Sequence, residues 1–284
     1  MQIRTALQNI ENIALGFDRL TIWIDHPYPD LPVEDIRKHC GNISFMPCKS
    51  ATYQNVWQTE IKLFQPSSTA LKTLRNAIGH RYRTKLSYAE IALDWITVDE
   101  AHARELWTFF LKHFKLRSSR HHVQFCEDTA YYKPRSVGES GRNACNVVAY
   151  PDRLSKLNVP NTVGRPCCHL EFRLTGPTAI SKATNLFSVA DCVAVDHQRF
   201  WQQHLTLFEV ASKADLGRIL KRNEAHTSEA AHRKRAATFL DKHTHSGIYV
   251  LQDCVLDLEA IKRILKPIDN RHFLKAQPKS DEGS

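Results

Sequence analysis

The segment Cys167-Cys168-His169-Leu170-Glu171-Phe172-Arg173-Leu174 changes character at every residue. In a β-strand successive side chains point to opposite faces, so Cys168, Leu170, Phe172 and Leu174 fall on one side and His169, Glu171 and Arg173 on the other. A slip of one residue would bury the three ionisable groups in the core. The segment therefore demands a sheet with one apolar face and one face that gathers charge.

Lys85-Leu86-Ser87-Tyr88-Ala89-Glu90-Ile91-Ala92-Leu93-Asp94-Trp95-Ile96 repeats the pattern: Ala89, Ile91, Leu93 and Trp95 share an apolar face, and Tyr88, Glu90, Ala92 and Asp94 the opposite one. Were the two strands neighbours, a spacing of ~4.8 Å would bring a carboxylate of the second close to His169 or Glu171 of the first. Carboxylates beside an imidazole suit Mg²⁺ or Mn²⁺, which favour oxygen ligands with some nitrogen. Glu90 and Asp94 lie about 13 Å apart along a strand, so the spacing predicts that one ligates and the other supports.

Around these strands the chain alternates β and α signals. Strands are expected at 17–25, 41–47, 55–64, 122–133 and 143–150. SSTALKTLRNAIG reads as a helix capped by Ser67 or Ser68 and stopped at Gly79, and Thr97-Val98-Asp99-Glu100 as a capping box opening a second helix through ELWTFFLKHF. The basic run KLRSSRHH suits either a solvated loop or a phosphate contact, and PRSVGESGR reads as a turn-rich connection. After Gly176-Pro177 the texture becomes helical through SVADCVAVDHQRFWQQHLTLF, KADLGRILKRN, SEAAHRKRAATFL and DLEAIKRILK. The expected architecture is α+β: a central, mostly antiparallel sheet with helices packed on one face, followed by a helical C-terminal region. Residues 1–180 would form the catalytic domain, 181–276 a basic, DNA-binding helical region, and 277–284 a flexible tail.

Lys and Arg number 39 against 30 Asp and Glu, a formal charge of +9 that favours a polyanionic partner without choosing between DNA, RNA and acidic lipid. Hydrophobic residues at 42% argue against disorder. No run approaches the ~18 apolar residues of a membrane span, and MQIRTALQNIENIALGF lacks a signal-peptide core, so a cytoplasmic protein without membrane contact is expected. The eight cysteines contain no CxxC and read as reduced small hydrophobes; Cys167 and Cys168 face opposite ways and cannot chelate together with His169.

A metal on a basic protein points to phosphodiester chemistry, with water or a side chain as nucleophile. Tyr131, Tyr132 and Tyr150 are the candidates. Tyr150 stands at a strand end in NVVAYPDRLSK, with Arg153 and Lys156 near enough to hold a phosphate. Taken alone, such a tyrosine reads first as an interfacial aromatic with a satisfied hydroxyl.

The succession SYAEIALDWIT, TAYYKPRS, NVVAYPDRLSK and CHLEFRLTG, over roughly residues 85–176, resembles the replication initiation factor family, the rolling-circle initiators of small plasmids and filamentous phages. Glu90 stands where that family usually has aspartate, Pro151-Asp152-Arg153 replaces a tighter Asp-Lys, and His169 replaces a common arginine. Tyr131-Tyr132-Lys133-Pro134-Arg135-Ser136 departs from the family's tyrosine-glycine-serine segment. His169-Leu170-Glu171 is also similar to the histidine-hydrophobe-histidine metal strand of other rolling-circle nickases.

The resemblance implies metal-assisted nicking of single-stranded or extruded origin DNA, leaving a tyrosine linked to the 5′ phosphate and a free 3′ hydroxyl. It implies Tyr150 as nucleophile with Tyr132 in reserve. Glu171, His169 and either Asp94 or Glu90 would hold Mg²⁺ or Mn²⁺, and Arg173, Arg153 and Lys156 would neutralise phosphate charge. A host helicase and a second copy of the chain are further partners this reading admits. Two competing readings are a non-catalytic DNA-binding protein and a metal nuclease that uses water.

Overall fold

A computed structural model of the chain describes residues 3–48, 56–114, 121–134, 145–210, 244–245, 248–249 and 265–275. Alternating or β-branched stretches give the strands β1 (Asn12–Ile24), β2 (Asn42–Pro47), β3 (Thr59–Phe64), β4 (Thr84–Ile96), β5 (His121–Cys126), β6 (Thr129–Pro134), β7 (Cys145–Leu154) and β8 (Pro166–Thr175). They form one sheet in the order β2-β3-β1-β4-β8-β7-β6-β5, with every neighbouring pair antiparallel. The fold is α+β, and the two strands singled out by their alternation, β4 and β8, lie side by side at its centre.

The helices are α1 (Ile3–Gln8), α2 (Val33–Arg37), α3 (Ser68–Ile78), α4 (Glu100–His113), α5 (Pro177–Thr184), α6 (Val189–Val193) and α7 (His197–His204). Ser67 caps α3 by accepting a hydrogen bond from the Ala70 amide, as its sequence suggested. For α4 the cap is Asp99 itself, which accepts from the His102 amide, and not Thr97. Either way the Asp99 carboxylate serves the helix start.

Helices cover the apolar face. Phe172 of β8 packs edge-on against Phe200 and Trp201 of α7, and Trp95 of β4 against Phe110 of α4. The buried indoles find backbone acceptors: Trp107 Nε1 donates to the Ala149 carbonyl at 3.1 Å, Trp201 Nε1 to Ala92 at 3.2 Å and Trp95 Nε1 to Phe273 at 2.8 Å. One hydrophobic cluster runs from Ala6 through Trp95, Phe172 and Trp201 to Leu274, so Leu186, Phe200, Trp201, Leu207 and Phe273 share the core of the first 180 residues.

The helical spacing of SVADCVAVDHQRFWQQHLTLF is realised as two short helices that give way to a strand. Ser188 opens α6 with a capping box to Asp191, Asp196 caps α7, and Leu207–Val210 is a strand, β9. Two polar caps inside a β-branched stretch outcompete helical spacing. The two-residue strands β10 (Thr244–His245) and β11 (Ile248–Tyr249) pair with each other. The end of DLEAIKRILK is extended rather than helical: Leu265–Ile268 is β12, which pairs with β9, and a 3₁₀ turn follows at Asn270–Leu274. KADLGRILKRN, SEAAHRKRAATFL and most of KLRSSRHH and PRSVGESGR lie outside the described residues. No described helix is long and apolar enough to cross a membrane.

His113, at the end of α4, is 6% exposed and its Nδ1 faces the Phe208 carbonyl. Burial pushes its pKa down to about 4, only partly opposed by that carbonyl, and burial does the same to His197. The unfolded chain takes up these protons near pH 6.5 and the folded chain only near 4, so stability is complete above 6.5 and falls as the pH drops through that window. A shift of this size corresponds to about 3 kcal/mol per histidine. The melting temperature is expected to fall between pH 7 and 4.5, with a visibly shallower slope in His113→Leu; equal slopes would mean that His113 titrates normally in the fold.

Candidate metal centre and tyrosine site

The face opposite the helices carries the ionisable groups. Antiparallel register sets Asp94 of β4 opposite His169 of β8, Ala92 opposite Glu171, and Glu90 opposite Arg173. On the other flank of β8, Tyr150 of β7 stands opposite His169 and Val148 opposite Glu171. His169 is therefore bracketed by a carboxylate on one side and a phenol on the other.

The His169 ring is fully buried, with Nδ1 against Asp94 Oδ1 and Nε2 3.3 Å from Glu171 Oε2. The other Asp94 oxygen accepts the Ser155 hydroxyl at 2.5 Å. Glu171 Oε1 accepts from Arg173 Nε at 2.7 Å, and a second guanidinium nitrogen also reaches it. Asp94 thus lies behind His169, fixing the tautomer that leaves Nε2 to face Glu171.

Sequence spacing gave no hint of the third acid in this cluster. Between Phe17, paired with Ile91, and Arg19, paired with Glu90, Asp18 has no partner on β4: the strand carries a bulge. Because of the extra residue, Phe17 and Leu20 both remain in the core while Asp18 and Arg19 both serve the polar face. Between the bulge and β8 stands Ala92, a small residue paired with Gly16 on one side and Glu171 on the other. Ligand atoms of Asp18, His169 and Glu171 all lie within 4.8 Å of one another, and all three residues are buried. The adjacent Asp-Arg pair inside the apolar stretch FDRLTIWI was the one available sign of the bulge.

A second bulge lies in β7, where the register shifts between Tyr150 and Arg153. It lets Arg153 turn back to donate to the Tyr150 hydroxyl at 2.5 Å and to Asp18 Oδ1 at 3.1 Å. The Tyr150 and His169 rings lie 4.8 Å apart. Asp18 also accepts from Gln65 Nε2 at 2.7 Å.

The electrostatics mark a place for positive charge. Burial disfavours the His169 cation, yet the Asp94 carboxylate holds its pKa up at about 9. Burial disfavours the Asp18 anion, but His169 and Arg153 outweigh it and keep the pKa low; for Glu171, the hydrogen bond and charge of His169 do the same. Glu90 moves up through burial and the nearby Glu171 charge. Burial and Glu171 push the Tyr150 phenol well above the ordinary tyrosine range.

Of the residues expected to act, His169, Glu171, Arg173, Tyr150, Arg153 and Asp94 are gathered here, with Asp94 as the support rather than a member of the ligand cluster. Glu90 is committed elsewhere: its carboxylate accepts from Arg19 at 2.5 Å and from the Tyr88 hydroxyl, and Arg173 Nε lies 3.5 Å away. Tyr132 is not at this site. One residue out of phase with Tyr131, it is fully buried on the opposite face against Phe110 and Phe114. Lys156 is exposed beside the buried Ser155, outside the hydrogen-bond network among the described residues.

One imidazole nitrogen and two carboxylates so close together are within reach of a single divalent ion with ligand distances of about 2–2.5 Å. No family model and no curated protein matches the sequence. Mn²⁺ at a hundred times its dissociation constant is expected to stabilise the protein by about 2.7 kcal/mol. In a thermal-shift titration Asp18→Asn and Glu171→Gln should lose that gain and Glu90→Gln should keep it; the reverse pattern would move the ion to Glu90.

Proposed function

We propose that the protein is a metal-dependent DNA nicking and joining enzyme of the rolling-circle type, acting in the cytoplasm on single-stranded or extruded origin DNA. The observation that carries this reading is the position of the Tyr150 hydroxyl, held by Arg153 beside the Asp18–His169–Glu171 cluster. The formal charge of +9 supports a polyanionic substrate.

In this reading the Tyr150 oxygen attacks a backbone phosphorus. An O–P bond forms to tyrosine and the bond to the 3′ oxygen breaks. The phenol gives up its proton, and the departing 3′ oxygen takes one up as a hydroxyl. Asp18, His169 and Glu171 would hold Mg²⁺ or Mn²⁺, which would polarise a non-bridging phosphate oxygen. Arg153 donates to the phenol oxygen and offsets the charge that develops there as the proton leaves. Arg173, with 32% of its side chain exposed beside Glu171, is placed to meet a phosphate oxygen from the solvent side. The reverse reaction rejoins the strand without an external energy source.

A second reading has its own support. Burial raises the Tyr150 pKa, which works against a phenolate and favours water as the nucleophile. Incubating the protein and Mn²⁺ with a randomised pool of 3′-labelled single-stranded oligonucleotides separates the two. Nicking by Tyr150 should leave labelled DNA on the wild-type protein and none on Tyr150→Phe, with binding nearly unchanged. A labelled adduct on Tyr150→Phe would refute the assignment. Cleavage without any adduct would select the hydrolytic mechanism, and binding with neither would select a non-catalytic DNA-binding protein.

A further inference from the structure

Asp94 raises a question of satisfaction that the sheet alone does not answer. Its cross-strand neighbours are His169 on β8 and Ala14 on β1. The first takes Oδ1, and the second has no side-chain donor. Asp94 is fully buried, and besides the weak donor of the Cys167 thiol its Oδ2 takes a hydrogen bond from above the sheet.

It comes from the connection between β7 and β8. This loop doubles back as a tight hairpin: the Ser155 amide donates to the Arg165 carbonyl, and the Gly164 amide returns a bond to Ser155, both at 2.8 Å. Gly164 has φ of +80°, a conformation glycine adopts without strain. Leu157 is 1% exposed and packs with Ala14, Ala92, Ile96 and Cys167, a small apolar cluster on the polar face of the sheet. The loop is thus fastened at two points, by its backbone to itself and by Leu157 to the sheet. Between them the Ser155 hydroxyl, on a residue 1% exposed, meets Asp94.

We propose that Ser155 is a positioning residue for the ion site: through Asp94 it fixes the orientation and tautomer of His169, and so sets how well Nε2 is presented to a divalent cation. The inference rests on the reading of Asp18, His169 and Glu171 as ligands and extends it one layer outward. A ligating histidine turned by a carboxylate keeps its geometry only as well as that carboxylate keeps its own. Loss of the hydroxyl removes the hydrogen bond that Oδ2 accepts and leaves only the weak Cys167 thiol beside His169, so Asp94 is held less firmly against the imidazole.

The test is Mn²⁺ affinity of the full chain, read from the electron paramagnetic resonance signal of free Mn²⁺. Ser155→Ala should weaken binding about 10–100-fold, the range seen for outer-layer partners of metal ligands, while the protein still unfolds cooperatively in EDTA at a somewhat lower melting temperature. Ser155→Thr, which keeps the hydroxyl, should restore most of the affinity. In an Asp94→Ala background Ser155→Ala should have no further effect, because the path through Asp94 is already cut. The proposal is overturned by wild-type affinity in Ser155→Ala while Asp18→Asn loses binding. It is also overturned by a Ser155→Ala effect that persists undiminished in the Asp94→Ala background. Equal binding by the wild type and Asp18→Asn, or binding by neither, would instead refute the ligand set and remove the basis of the inference.

Discussion

The imidazole of His169, buried between Asp94 and Glu171, is the constraint on which the polar face depends. Withdrawing an ion from water costs several kcal/mol even after relaxation, and a network of such groups is tolerated only when each member is paired. Ser155 completes Asp94, Arg173 completes Glu171, Gln65 and Arg153 complete Asp18, and Arg19 with Tyr88 completes Glu90. Asp18, Glu90, Asp94 and Glu171 bring four negative charges, and Arg19, Arg153 and Arg173 bring three positive ones. One positive charge is missing. Its place lies among Asp18, Glu171 and His169 Nε2, where a proton on the ring restores the balance and a divalent cation in its stead would leave one positive charge in excess. The proton and the cation compete for the same lone pair.

Much of this was legible in period-two alternation. The faces of β4 and β8 follow from residue order, because a strand has only two faces. Alternation leaves open whether the two strands are neighbours and by how many pairs of residues they are offset, and the pairing of Asp94 with His169 is set by the register of the folded sheet. The cap at Ser67 was legible for a similar reason, since a polar side chain at a helix start has a local task that needs no tertiary partner; for α4 the helix start was legible, but the cap is Asp99 rather than Thr97.

Asp18 and Ser155 were not legible, whereas the true position of Tyr132 was legible but overlooked. Asp18 reaches the cluster only because a bulge resets the phase of β1, and a bulge depends on pairing with a strand some seventy residues away. Ser155 acts from a loop whose path is fixed by Leu157 packing on three different strands. For Tyr132 the alternation did carry the answer, since it shares a phase with the apolar partner Val147, while the motif resemblance drew attention to the wrong tyrosine of the pair. Beyond residue 186, helical spacing gave way to Ser188 and Asp196, each starting a new helix, and to the pairing of β9 with β12.

The two bulges also determine how the phenol and the cation place influence each other. Arg153 donates to both the Tyr150 oxygen and Asp18 Oδ1, so its charge is divided between them. Burial and the charges of Glu171 and Asp18 all hold the phenol in its neutral form, while Arg153 draws it toward the anion. A cation at Asp18 and Glu171 would neutralise two of those opposing charges and leave the guanidinium acting on the phenol with less competition. In the proposed reaction an ion held by Asp18, His169 and Glu171 would thus leave Arg153 freer to offset charge on the Tyr150 oxygen.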